Sequence, residues 1–345
     1  MNGQHPGAPL SAAALVLAGM PMIIGVQSSG QETAPAELFT RVGLTAGETA
    51  LARTGQPAVR VIPGTVDSEV AVAGAIRIRG DLERLVRWLQ DIEEFRRALG
   101  NNAVGAIDNP ARLENFSAIS AADLDLAELE RCRPGRCGIR MPAAYIERVS
   151  KEVPWGTAEA APRAARLVQE LLTDYAAAYQ SGGDRAVGSH QNQREPLAVA
   201  AAFQDLLRRA VPIWQLAYDF AAYLEEFPAR RPAGVEDRFY WTREAAVRKP
   251  VATLHHVVLH RLADRSLRFA DKQFYASRDI DAALLVGQAT PAADGQVFDL
   301  VVSVRARVPR AGSVAGRLVR DRVNREIADS FAAYLTWLQR SFAAG

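Results

Sequence analysis

From residue 238 onward the chain breaks into five strand-length runs, 238–242, 251–261, 267–277, 280–290 and 297–307, each rich in β-branched, aromatic and other apolar residues. The connections at Lys249-Pro250, Ala263-Asp264, Arg278-Asp279 and Ala293-Asp294-Gly295 are too short to hold a crossover helix, so neighbouring strands must pair antiparallel. A long helical period follows to the C-terminus. Its apolar residues Leu318, Val323, Ile327, Phe331, Leu335, Leu338 and Phe342 fall in a single stripe that has to be buried against something large. A meander followed by a one-faced helix leaves few solutions, and a curved sheet wrapped on that helix satisfies both at once.

The upstream sequence adds one strand and many helices. EVAVAGAIRIR, Glu69 to Arg79, alternates Val70, Val72, Ile76 and Ile78 with Glu69, Ala71, Arg77 and Arg79, which predicts a strand with one apolar face. Gly80-Asp81 then ends the strand and offers an N-cap to a helix carrying Leu82, Leu85, Val86, Leu89, Ile92, Phe95 and Leu99, closed by Gly100. Strand-like pieces at 103–107 and 138–141 flank a helical SAADLDLAELERC. Between Pro142 and Phe227 period-2 patterning nearly vanishes. One amphipathic helix carries Ala164, Leu167, Val168, Leu171, Leu172, Tyr175 and Tyr179, and two more, 197–210 and 213–227, are divided by Pro212.

The resulting reading is α+β: a curved antiparallel sheet gripping a long C-terminal helix, with a helical insertion. EVAVAGAIRIRGDLERLVRWLQDIEEFRR at the start, and LRFADKQFYASRDIDAALLV through GRLVRDRVNREIADSFAAYLTWL at the end, resemble the START-like helix-grip superfamily of polyketide cyclases and lipid-transfer proteins. The resemblance covers about half the chain in pattern and order. It divides the sequence into an apolar leader at 1–30, a linker and preface at 31–67, a first START-like part at 68–141, a helical insertion at 142–234 and the remainder at 235–345. It implies an apolar cavity enclosed by sheet and terminal helix, and binding or transport of a hydrophobic small molecule of the lipid or isoprenoid class.

Composition narrows compartment and partners. At 345 residues, with 49% hydrophobic and 23% charged residues, the chain has globular values, and a net charge of +2 argues against nucleic acid as the main partner. Only Lys151, Lys249 and Lys272 are lysines, so the basic side is almost wholly arginine. The first 31 residues contain no Lys, Arg, Asp or Glu, and the apolar run Leu10 to Val26 ends near Ser28 in a small-residue pattern suited to signal cleavage. An exported, periplasmic or secreted protein is the expectation, with an uncleaved anchor or a plain apolar leader as alternatives. Cys132 and Cys137 flank Arg-Pro-Gly-Arg, a turn that can bring the thiols together. In an oxidising compartment they form a disulfide that stabilises by about 2 kcal/mol and pins a local turn; otherwise they are free thiols.

Candidate chemistry centres on VATLHHVVLH, which holds His255, His256 and His260. On a strand His256 and His260 share one face about 13 Å apart and His255 takes the other, so one metal cannot bind them all, and neither metal nor cofactor is expected. His256 and His260, Tyr240 from the FYW string, and Tyr275 and Arg278 from KQFYASRDID are the candidate ligand-binding residues. That last segment gathers Lys272, Tyr275, Arg278, Asp279 and Asp281 around one hairpin, where they could orient a polar headgroup. Arg305, Arg317, Arg320 and Arg325 belong to an arginine run suited to an anionic membrane surface. No Walker loop, dinucleotide fingerprint, G-x-S-x-G elbow or H-E-x-x-H occurs. Beside the binding protein stand two alternatives: an acid/base enzyme pairing a cavity histidine with a carboxylate, and a non-catalytic envelope interaction protein with a filled core.

Overall fold

A computed structural model describes residues 35–64, 68–101, 103–209, 218–244, 250–308 and 316–343. The proposed leader and Pro212 lie outside them. In chain order the elements are α1 Pro35–Arg41, α2 Ala46–Arg53, β1 Ala58–Ile62, β2 Glu69–Arg79, α3 Leu82–Gln90, α4 Ile92–Ala98, β3 Val104–Ile107, α5 Leu126–Arg131, α6 Ala143–Glu152 and α7 Ala160–Val187. They continue with β4 Ser189–His190, β5 Leu197–Ala198, α8 Val199–Arg209, α9 Tyr218–Glu226, β6 Val235–Glu244, β7 Val251–Arg261, β8 Leu267–Ala276, β9 Ala282–Pro291, β10 Val297–Arg307 and α10 Gly316–Ala343.

Eight strands form one antiparallel sheet in the order β1-β2-β10-β9-β8-β7-β6-β3. The meander supplies five consecutive strands by hairpins. The early strand β2 closes against the last, with Val301 opposite Ala75. β1 and β3 are the two edges, so the sheet is not closed into a barrel.

Both faces of this sheet are covered by helices, which explains where the alternation fails. On one face α10 and the α3–α4 pair pack down: a Cβ at Gly74 would meet the Phe331 ring at 2.6 Å, and Trp88 lies 5.7 Å from Trp337 and 5.1 Å from Phe342. Gly74 is therefore the position that lets α10 approach β2 so closely. Across the sheet, α7, α8 and α9 form a second layer, with Tyr179 stacked on Phe274 at 3.9 Å. β2 is consequently buried along most of its length, Ala71, Ala73 and Ala75 included, and is not the one-faced strand its charges suggested. Burial on both faces also accounts for near-continuous apolar runs in β7 to β10.

Two further expectations change. The single helix over 82–99 is two helices, because Asp91 leaves the helical region (φ −100°, ψ 73°) and caps α4 by accepting from the Glu94 amide at 3.1 Å, as Asp81 caps α3 through Glu83. Residues 138–141 form no strand; the Arg140 amide is held instead by the Ser277 carbonyl at 2.8 Å. The last α7 turns are broken at Gly183, whose φ of +64° lets the Phe227 carbonyl sit where a Cβ would be.

Candidate functional site

β7 carries the histidine cluster through the middle of the sheet, beside a bulge that sets Leu254 opposite Tyr275 but His255 opposite Gln273. The extra residue, Phe274, turns towards α7 and stacks on Tyr179. Strand alternation then sends His256 and His255 into different helical layers, as period 2 requires.

His256 is fully buried beneath α7 and α9. Its Nε2 lies 2.8 Å from Asp237 Oδ1 and its Nδ1 lies 3.0 Å from the Tyr179 hydroxyl. Burial pushes the imidazole below its ordinary value against the opposing pull of Asp237, so at neutral pH the ring is uncharged. The consistent tautomer donates Nε2–H to Asp237 and accepts the Tyr179 proton at Nδ1. Asp237 also accepts from the Tyr223 hydroxyl at 2.9 Å and pairs with Arg231 at 3.0 Å. Burial works to raise that carboxyl, and His256, Arg231 and Tyr223 together outweigh it, keeping it below the usual range. Beside this chain, Lys272 is fully buried, 2.6 Å from Asp184 Oδ2 and 3.3 Å from the Leu224 carbonyl.

On the α10 face His255 stacks on Tyr240 at 4.5 Å, with Nδ1 2.8 Å from Asp271 and Nε2 2.9 Å from the Thr253 hydroxyl. Tyr240 donates to the same Asp271, and the Arg96 guanidinium lies over its ring. His260 is buried against Phe220, ring centres 6.2 Å apart. His190, in β4, has Nε2 3.0 Å from the Tyr175 hydroxyl; burial, reinforced by nearby Arg140, pushes it down to about 3.

These positions separate the expected ligand-binding residues. His256, His260 and Tyr240 do not meet in one cavity: Tyr240 lies on the α10 face, and the other two lie under α7 and α9, committed to protein partners. The space between sheet and α10 is filled by Phe331, Leu335 and Leu338. For acid/base work the geometry is unfavourable, because both nitrogens of His255 and His256 are engaged and a general base has to reach its substrate. The 272–281 cluster also disperses: Lys272 goes to Asp184, Tyr275 donates to the Arg140 carbonyl at 2.8 Å, and Arg278 pairs with Glu128 at 3.1 Å. Asp281 holds Arg140 at 2.6 Å and Arg307 at 3.2 Å. Of the four arginines expected at an anionic surface, two can be placed. Arg305 is turned onto the buried Glu69 of β2, and Arg325 is exposed on α10, where the Arg317 and Arg320 side chains lie outside the described part.

Two of the five candidates, Tyr275 and Arg278, do come together. They line a cavity of about 50 Å³ at the corner where α5 and α7 meet β7 and β8. Leu129, Ile139, Met141, Leu171 and Leu172 make it apolar, and Asp123, Arg243 and Arg278 supply polar groups, with Asp123 and Arg243 paired to each other. A second concavity, 410 Å³, lies beside the Cys132–Cys137 disulfide, which forms as expected. A third, an open cleft of 580 Å³, runs between the α3–α4 junction and β6 and has Asp237 in its wall. Asp237, Tyr179 and Asp184 were missed in sequence because each acts through a partner more than ten residues away. Among the described residues no helix is long and apolar enough to cross a membrane, and no group of three or more His, Cys, Asp or Glu side chains converges to hold a metal. No protein-family model matches the chain, and no curated protein matches it in sequence.

Proposed function

We propose that this protein works outside the cytoplasm as a non-catalytic binder of a hydrophobic small molecule, received in the apolar corner between α5, α7, β7 and β8 rather than beneath α10. The observation that carries this reading is the lining of that corner, where aliphatic side chains surround the space and a few charged groups sit among them. The disulfide supports the compartment. The START-like resemblance supports the ligand class, with the binding place moved to the opposite face of the sheet. At 50 Å³ the cavity has room for about three or four water-sized groups, so it receives the end of one slim chain. Burying about three methylenes there contributes roughly 2.5 kcal/mol.

The test is a titration of the delipidated protein with 1-hexanol, followed by the methyl resonances of Leu171, Leu172 and Ile139. Saturable shifts at these three, abolished by Leu172→Trp, are expected. Shifts absent up to the solubility of hexanol, in a protein that also yields no extractable apolar compound, would refute the reading. The filled sheet faces favour a second reading, an interaction protein with a closed core, and that negative result is the one it requires.

A further inference from the structure

The apolar corner shares a wall with the concavity at the disulfide, and the two differ sharply in character. Glu128 lines the disulfide concavity while the next residue, Leu129, lines the apolar cavity; Gly138 and Ile139 divide in the same way. The Glu128–Arg278 ion pair, 3.1 Å, lies at the boundary, with Glu128 lining one hollow and Arg278 the other.

Arg131, Arg136 and Arg194 face the disulfide concavity, and all three are exposed. None has a carboxylate within ion-pair distance among the described residues, although most arginines of the neighbouring helices α6 and α7 are matched, as Arg148 and Arg163 are to Glu152 and Glu170. The one acidic side chain in the lining, Glu128, already faces Arg278. The patch is also held in shape. The disulfide closes the turn, the Gly135 amide donates to the Gln191 carbonyl at 2.7 Å, and the Cys137 amide donates to the Asn192 carbonyl at 2.8 Å, tying the hairpin to the segment that bears Arg194. Guanidinium groups on a fixed backbone are suited to a phosphate, which they hold by paired charge-assisted hydrogen bonds.

From this juxtaposition we infer that the ligand is a single-chain anionic amphiphile: a phosphate head held by Arg131, Arg136 and Arg194 in the disulfide concavity, and a short apolar chain passing the Glu128–Arg278 wall into the corner lined by Leu171 and Leu172. The inference rests on the proposed apolar site and adds the head chemistry and the direction in which the ligand lies. It also moves anion recognition from the C-terminal arginine run to the disulfide turn.

The experiment compares 1-hexanol, hexyl phosphate below its micelle concentration, and inorganic phosphate on the intact oxidised protein, with Arg131→Gln/Arg136→Gln as the variant. Hexyl phosphate is expected to bind at least tenfold more tightly than hexanol. The variant should lose that gain while hexanol still shifts Leu172 unchanged, which also shows that the variant is folded. Inorganic phosphate should compete with hexyl phosphate and not with hexanol. If hexanol binds but the phosphate adds nothing, or its gain survives in the variant, the head assignment is overturned while the apolar site stands. If hexanol fails to bind and both phosphates bind equally and through Arg131 and Arg136, the turn is a free-anion site, and both the amphiphile and the apolar reading fail.

Discussion

Lys272 and Asp184 offer the most demanding check on this interior. The Lys272 side chain is wholly buried and Asp184 nearly so, with Nζ 2.6 Å from Oδ2 and the ammonium 3.7 Å from the centre of the Phe203 ring. At an effective dielectric near 20 their attraction is about 6 kcal/mol. Removing two ions from water costs several kcal/mol each, so the pair contributes little net stability. Losing one partner is different: Lys272→Met keeps the stem and leaves the Asp184 carboxylate buried without a counter-charge, a loss of about 3–5 kcal/mol. Lys272→Met combined with Asp184→Leu removes both charges and should fall within about 1 kcal/mol of the parent. Urea unfolding followed by tryptophan fluorescence and circular dichroism gives the four corners of the cycle. A Lys272→Met variant within about 0.5 kcal/mol of the parent, or a double variant as unstable as the two losses summed, would show that these groups are not a desolvated pair.

Two further outcomes follow from the same interior. His190 titrates near 3 in the folded chain against an ordinary value of 6.5, so below pH 6.5 the unfolded state takes up a proton that the folded state refuses, and stability falls by about 1.4 kcal/mol per pH unit from this residue as pH drops towards 3. Urea midpoints at pH 7, 5.5 and 4.5 should therefore slope less steeply, by about one proton, in His190→Gln, and equal slopes would remove His190 from the account. Gly183→Ala places a Cβ 2.0 Å from the Phe227 carbonyl oxygen at a positive φ and should destabilise by more than about 2 kcal/mol, whereas Gly47→Ala, in helix α2 with open space around it, should stabilise by about 0.5–1 kcal/mol; thermal melts of the two decide.

How much was legible depends on the range over which each feature is determined. β7 and β10 have the expected ends, and β8 and β9 shift by one or two residues, because β-branched runs between turn pairs are local signals. The α7 stripe was equally legible, since Leu167, Leu171, Leu172, Tyr175 and Tyr179 repeat at helical spacing and are all buried. The break at Asp91 was available too: Asp-Ile-Glu-Glu places an acidic N-cap three residues before Glu94, but the apolar period running through it masked the start of a second helix. The second helical layer was not legible on the sheet. Its effect, burial of both faces, reads in sequence only as weak alternation in β2, and Ala71, Ala73 and Ala75 are silent about which side they face. The apolar corner was half visible: Tyr275 and Arg278 stood out as polar residues near a hairpin, but the aliphatic walls come from α5 and α7, more than a hundred residues earlier.

The polar residues of β7 and β8 make sense once both faces are closed. A sheet without a wet face has no neutral place for an ionisable side chain, so each must meet a partner in the layer it enters. Three such pairs lie in the closed layers: His256 with Asp237, Lys272 with Asp184, and His255 with Asp271. His255 and His256 are adjacent and point to opposite layers, so a slip of β7 by one residue would carry each imidazole to a face where its carboxylate is absent. Apolar residues at these positions would pack as well in either register; the three pairs would not. His255 and His256 therefore act across the sheet as separate locks on its alignment, each tied to a carboxylate of its own layer.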